Sequence, residues 1–495
     1  MNMYLVVVIV YLLFLTGVGL YKSRIVKTEA DFMVAGRKLG APILVGTLLA
    51  TWIGSGSIIA GAGLAYREGF AALWFDAGVW IAIIIIYFVA GRARRLEQMT
   101  VPDVLELRYN QWARILGTIV TIIAYTVIAS YQFRAGGLVL NVVTGLDEDT
   151  GILLTAIFVI LFTAIAGLVS VAFTDIFNGT LMLSAIFIAY PFLIDRAGGW
   201  SGVRARLQEH FGAMVADQRL SLMGRFTWDE ALSYALPTML LMLGLANMYQ
   251  RFFSARDERA AKQAVIGWIS GTVVIESMIV VLAVIGSALF PELASQEKTE
   301  QVLLYTAREG LPLVIGCILL AAAVAIIVST ADSFLLVPAT NVIRDLYQRF
   351  INPDVSQRRI VLYSRLAVVG LGVVAYGLVY ASETVLEAAL QAYTIYGVGI
   401  TPALLACFFW KRATSAGAIG SIGMGAAVTL FWEYIVKKTT WLGLAHLPWI
   451  WGDKPWREVA TIYPALFASL LCLFILSWLT APPPEAKWRP FFQRA

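Results

Sequence analysis

Charge is what this sequence is short of: Asp, Glu, Lys and Arg make up 14% of 495 residues, against 59% hydrophobic ones and a mean hydropathy of +0.77. A chain of this length standing in water as several globules needs a charged coat, and that coat is missing. Soluble enzymes and nucleic-acid-binding domains are therefore excluded. The pI of about 9.0 records loop arginines beside a lipid surface, not a nucleic-acid partner. Histidine is down to two, His210 and His446, placed in separate loops without metal-ligand spacing around them. The three cysteines, Cys317, Cys407 and Cys472, all sit in apolar stretches, so no disulfide framework is expected. The loops hold no paired acids and no nucleophile with its base, so no catalytic residue is assigned and the chain is not expected to be an enzyme.

What the chain has instead is apolar runs of the length that crosses a hydrocarbon core about 30 Å thick, roughly 20 residues each. They fall near 3–21, 41–65, 71–91, 114–141, 151–169, 172–195, 231–250, 264–290, 311–335, 360–381, 385–410, 414–436 and 459–480. The pattern predicts an all-α integral membrane protein of about thirteen transmembrane helices, with the lipid bilayer as its surroundings. Nothing basic precedes Met3–Leu20 and no small-residue cleavage site follows it, so it is expected to be a retained span rather than a signal peptide. An odd number of crossings puts the termini on opposite sides. The larger share of the 37 Lys and Arg lies on loops that face the cytoplasm if the N-terminus is outside, including Lys22 to Lys38, Arg92 to Arg114, Arg251 to Lys262 and Arg344 to Arg365. The expectation is an N-terminus outside and a C-terminus in the cytoplasm, in a bacterial inner (plasma) membrane.

Two spans are interrupted. The 41–65 span carries Gly54, Ser55, Gly56, Gly61 and Gly63, and the 231–250 span carries Pro237 and Gly244. They stand five helices apart, the spacing that two repeats with broken first helices produce in secondary transporters. Close helix packing through glycine is the competing explanation.

Ionisable groups at membrane depth cost roughly 2.5–3.5 kcal/mol each on insertion scales and need a partner or a wet cavity. Four stand out. Asp332 belongs to Val328-Ser329-Thr330-Ala331-Asp332-Ser333, where the hydroxyls at one-turn spacing make a ledge suited to a hard cation, unless they bond back to their own helix. Asp175 lies in Ser170-Val-Ala-Phe-Thr-Asp-Ile-Phe177 after a short turn, as a helix N-cap or a carboxylate for a cation held against the 311–335 span. Arg134, beside Tyr131 and Gln132, suits the head group of an organic anion, or else a salt bridge to Glu276 or Asp332 or snorkelling to the outer surface. Glu276 ranks lower, as a partner for a neighbouring helix.

These residues resemble the sodium:solute symporter family over essentially the whole chain. The resemblance rests on Ala35-Gly-Arg-Lys-Leu-Gly40, Ala50-Thr-Trp-Ile-Gly54, Phe173-Thr-Asp-Ile176 and Ser329-Thr-Ala-Asp-Ser333. It implies one transmembrane transporter domain, 1–495, with a LeuT-type core: a peripheral helix at 3–21, a first repeat at 41–195, an inverted second repeat at 231–410 and two peripheral helices at 414–480. It also implies sodium as coupling ion, bound by the carbonyls of Ala50, Ile53 and Ile326 and the side chains of Ser329 and Thr330. A second sodium would take Asp175, Asp332 and Ser333, although the family often has serine where this chain has Asp332. Trp52, Gln132, Arg134, Asn247, Gln250, Gln391 and Tyr396 are nominated for the solute.

The resemblance thus implies a sodium-coupled importer of a small organic solute working by alternating access. Arg134 would repel a cation, which favours a carboxylate-bearing anion or zwitterion. A sugar or a quaternary amine such as choline, a proton-coupled symporter, and a non-transporting solute sensor are the alternatives. One sodium entering at 100 mV supplies about 2.3 kcal/mol, and a tenfold gradient adds roughly 1.4. A neutral or zwitterionic solute keeps both terms; a monoanion cancels the first and needs a second sodium.

Overall fold

The computed structural model describes residues 3–23, 28–296, 298–439 and 454–492, so His446 lies outside the described residues. Helix accounts for nearly all of them, and the single isolated bridge pairs Leu39 with Ala255. Twelve stretches are long and apolar enough to cross a membrane, and the chain is an integral membrane protein. One of the twelve, Gly56–Arg95, joins the second half of a broken span to the helix that follows it, while the shorter apolar helix Ala41–Trp52 supplies the first half. Separating the two recovers the expected thirteen.

The elements that position the site are α1 (Met3–Ser23), α2 (Ala41–Trp52), α3 (Ala62–Glu68, entered through the widened turns Gly56–Gly61), α4 (Leu73–Arg95) and α5 (Gln111–Thr144). After these come α6 (Glu148–Ala197), α7 (Trp228–Gly244), α8 (Ala246–Ser254), α9 (Glu258–Leu289), α10 (Leu313–Asn341), α11 (Gln357–Gly377) and α12 (Val385–Phe409). Two further helices, α13 (Ser415–Phe431) and α14 (Ile462–Leu479), pack on each other outside α12.

The turn expected after residue 169 lies within α6, a single element of fifty residues. Straight, fifty residues would extend about 75 Å. The ends of α6 are nevertheless close together. Gly137 lies against Glu148 and Ile152, Arg308 donates to the carbonyl of Val142 at 2.5 Å, and Arg196 at the far end of α6 donates to the carbonyl of the adjacent Glu309. The element is therefore two spans, Glu148–Ile165 and Phe173–Ala197, folded back on each other. Asp175 is inside the second span and caps no helix. The long segment 196–230 is not bare loop but carries the helices Gly199–Phe211 and Ala213–Arg219. The helix expected at 311–335 continues to Asn341 and then, in widened turns, to Ile351.

Candidate functional site

Both interruptions are real, and both have the same form. At the end of α2 the chain leaves helical geometry at Ile53 (ψ 101°) and resumes at Gly56. At the end of α7 it leaves at Leu245 (ψ 110°) and resumes in α8. A glycine stands at each break because a neighbour leaves no room for a side chain. A Cβ on Gly54 would lie 2.7 Å from Oγ1 of Thr330, and one on Gly244 would lie 2.1 Å from Oγ1 of Thr401. Tyr396 of α12 secures the second break, donating its hydroxyl to the Gly244 carbonyl at 2.8 Å and accepting from the Ala246 N–H at 3.1 Å. Pro237, by contrast, lies inside α7 without breaking it.

α10 crosses directly behind the first break. Thr330 Oγ1 lies 3.3 Å from the Ala50 carbonyl and 3.4 Å from that of Ile53, and Ser329 Oγ lies 3.3 Å from the Ala50 carbonyl. The hydroxyls therefore do not bond back to their own helix. Ser329 has a shorter contact, 2.5 Å to Asp175 Oδ1, so its single proton goes to that carboxylate. Its oxygen then faces the Ala50 carbonyl with no proton between them, an arrangement that suits a hard cation. Ile326, a turn earlier on α10, shares the face of Ser329 and Thr330 and is buried.

Asp175 also accepts from Thr47 Oγ1 at 2.5 Å, and Arg251 Nη2 lies 3.8 Å away. Arg251 also donates to Ser333 at 2.8 Å. It was assigned to a cytoplasmic loop, but it is 1% exposed and buried with Asp175. The set Asp175, Asp332 and Ser333 is divided between partners: Asp332 accepts from Thr163 of α6 at 2.5 Å while the other two face Arg251.

The residues nominated for the solute fall into two groups. Trp52, Gln132, Asn247 and Gln250 are buried at the two breaks, with Gln132 Oε1 accepting from the Ser55 N–H at 3.3 Å. Around them Thr51 Oγ1, Ser55 Oγ, both amide atoms of Asn247 and Gln250 Oε1 have no partner among the described residues. Arg134 and Gln391 lie elsewhere, towards one end of the bundle. Arg134 contacts Glu148 at 3.4 Å and donates to the Ser382 carbonyl at 2.5 Å, so its ion pair is not with Glu276 or Asp332. Gln391 bonds to Glu387 and to Ser382.

Residues that the sequence ranked low or passed over complete the centre. Glu276 of α9 is no bystander: its two oxygens accept from the indole N–H of Trp52 at 2.6 Å and of Trp80 at 2.7 Å. Asp76, four residues before Trp80 on α4, is buried beside it and interacts electrostatically with Glu276. The Tyr393 ring stands between Trp52 and Phe75, 6.3 Å from each, and its hydroxyl is 3.2 Å from that of Tyr131. Asp76, the one acid of α4, and Trp80 share one face at one-turn spacing, and that was the available signal.

Comparison with known proteins agrees with this geometry. The sodium:solute symporter family model matches residues 32–425. A sodium/proline symporter of Staphylococcus aureus is 26% identical over 497 aligned residues, covering 97% of this chain and 93% of its own length. Among solved structures, a substrate-bound, outward-open sodium-coupled sialic acid symporter superposes with a TM-score of 0.78 at 18% identity, over 97% of this chain and 98% of that one. The nucleobase-cation-symport-1 family transporter Mhp1, in a closed conformation, gives 0.58 at 13% identity, over 93% and 97%. The fold is thus the LeuT-type arrangement of these sodium-coupled transporters. The chain is a transporter and not an enzyme, and it belongs to the sodium:solute symporter family.

Proposed function

We propose that the chain couples one sodium ion to the import of a small carboxylate-bearing zwitterion by alternating access. In this reading sodium sits between α2 and α10, on the carbonyls of Ala50, Ile53 and Ile326 and the hydroxyls of Ser329 and Thr330. Asp175 serves that ion indirectly, by holding the Ser329 proton away from it. A second sodium at Asp175, Asp332 and Ser333 would have to displace Arg251, which is why one ion is preferred. One ion is sufficient for a zwitterion. Potential and gradient together supply about 3.7 kcal/mol, enough for accumulation of a few hundredfold, because no net solute charge opposes the field.

The solute's carboxylate is assigned to the break itself, where Thr51, Ser55 and Asn247 carry polar atoms without a partner among the described residues and the restarting helix presents its N–H groups. A curated relative that transports proline, a zwitterion, supports the choice. Two inverted repeats over 41–195 and 231–410 would rock about this centre, in a plasma membrane with the N-terminus outside. The observation that carries the reading is the approach of the Ser329 and Thr330 hydroxyls to the Ala50 and Ile53 carbonyls at the unwound end of α2. The test is solute uptake into proteoliposomes with sodium replaced by potassium: uptake is expected to collapse, and undiminished uptake refutes the proposal.

A further inference from the structure

We propose that Asp76 and Glu276 form the seat for the ammonium group of the transported solute, with Trp52, Trp80 and Tyr393 as its aromatic walls. This deepens the zwitterion reading above and rests on it. Asp76 is 4% exposed and Glu276 1%. Among the described residues neither makes an ion pair. Two buried carboxylates within reach of each other cannot both stay ionised unless a cation joins them. At Asp175 and at the Asp103 and Asp345 pair the cation is an arginine; here none is supplied among the described residues.

The surroundings are built for a small organic cation. The two indole N–H groups orient Glu276 and occupy one lone pair on each oxygen, leaving the others free. Asp76 has no hydrogen-bond partner among the described residues. Independently, Thr272, one turn before Glu276 on α9 and fully buried, has a hydroxyl on the same helix face with no partner among the described residues. Tyr393 interacts electrostatically with both acids, and its ring and that of Trp52 present π-faces that favour a desolvated ammonium. Trp52 ties the two ends together, since it sits one residue before the break to which the carboxylate is assigned. A zwitterion spanning the two places each of its charges opposite a complementary group.

The test uses purified full-length protein in sodium, read by ligand-induced thermal stabilisation with matched probes: L-proline, pyrrolidine and cyclopentanecarboxylate, then alanine, ethylamine and propionate. The expected result is that within at least one set the ammonium-bearing probes bind at least tenfold more tightly than the acid that lacks nitrogen. Glu276→Gln and Asp76→Asn are each expected to abolish that preference while sodium itself still stabilises the protein. If either variant fails to fold, the wild-type preference between pyrrolidine and cyclopentanecarboxylate decides. Equal binding of acid and amine, no binding by any ammonium-bearing probe, or an unchanged preference in folded variants overturns the proposal. So does uptake driven by a pH gradient alone and lost in Glu276→Gln, which would place a proton there instead. An amine preference that persists undiminished in potassium leaves the acid pair standing and removes the sodium coupling.

Discussion

Two acidic pockets lie against the same broken helix, and they are neutralised in opposite ways. Asp175 receives two hydroxyl hydrogen bonds and a buried arginine contributed by α8. Glu276 receives two indole N–H groups, and neither it nor Asp76 has an ion pair among the described residues. A third buried cluster follows the first pattern: Arg114 contacts Asp103 at 2.6 Å and Asp345 at 2.5 Å. At Asp175, Asp103 and Asp345 the counter-charge is carried within the chain, whereas Asp332, equally buried, has one hydroxyl from Thr163 and no ion pair among the described residues. At Asp76 and Glu276 the proposed ligand would bring the missing charge. The difference separates residues that shape the ion site from those that choose the solute.

The largest effect should come from breaking the compensated pocket. Arg251→Met leaves Asp175 buried and alone, a change that costs about 3–5 kcal/mol in comparable buried pairs. Thermal unfolding of the purified protein is expected to show that loss, and adding Asp175→Asn to the same chain is expected to recover most of it.

Next comes the break itself. Gly54→Ala pushes a Cβ into Thr330, so about 1–3 kcal/mol of overpacking is expected, together with weaker activation by sodium. Stability and the sodium dependence of uptake, measured on one preparation, check both parts.

How much of this was legible in the sequence follows from range. The spans, the glycine breaks at Gly54 and Gly244 and the Ser329 and Thr330 pair are local patterns, and each appears where it was expected. Arg251 was hidden because it heads a charged run to Lys262, and only its contact with Asp175, far away in the chain, shows that it is core. Asp76 stands in the first turn of α4, where a negative charge is favoured on any account. Glu276 becomes central only once Trp52 and Trp80, from two other helices, converge on it. For Arg134, depth along a helix does not say which neighbour, here Glu148 and Ser382, lies beside it.

Two smaller effects sharpen the contrast. Ser329→Ala removes one ion ligand and is expected to raise the sodium concentration for half-maximal uptake about tenfold, roughly 1.4 kcal/mol. It should leave any preference for ammonium-bearing probes unaltered. Glu276→Gln, which removes an uncompensated charge, is expected to leave the ligand-free protein as stable as wild type or slightly more so, within about 1 kcal/mol. A loss as large as that of Arg251→Met would mean the two pockets do not differ in kind.

The most direct test of the central claim, that the Ser329 and Thr330 hydroxyls hold sodium against the open end of α2, is equilibrium binding of radioactive sodium to the purified protein and to the Ser329→Ala, Thr330→Ala double variant. The account predicts saturable binding to the wild type, displaced by unlabelled sodium but not by potassium, and its loss in the variant. Equal binding by a folded variant, or none by the wild type, would contradict it.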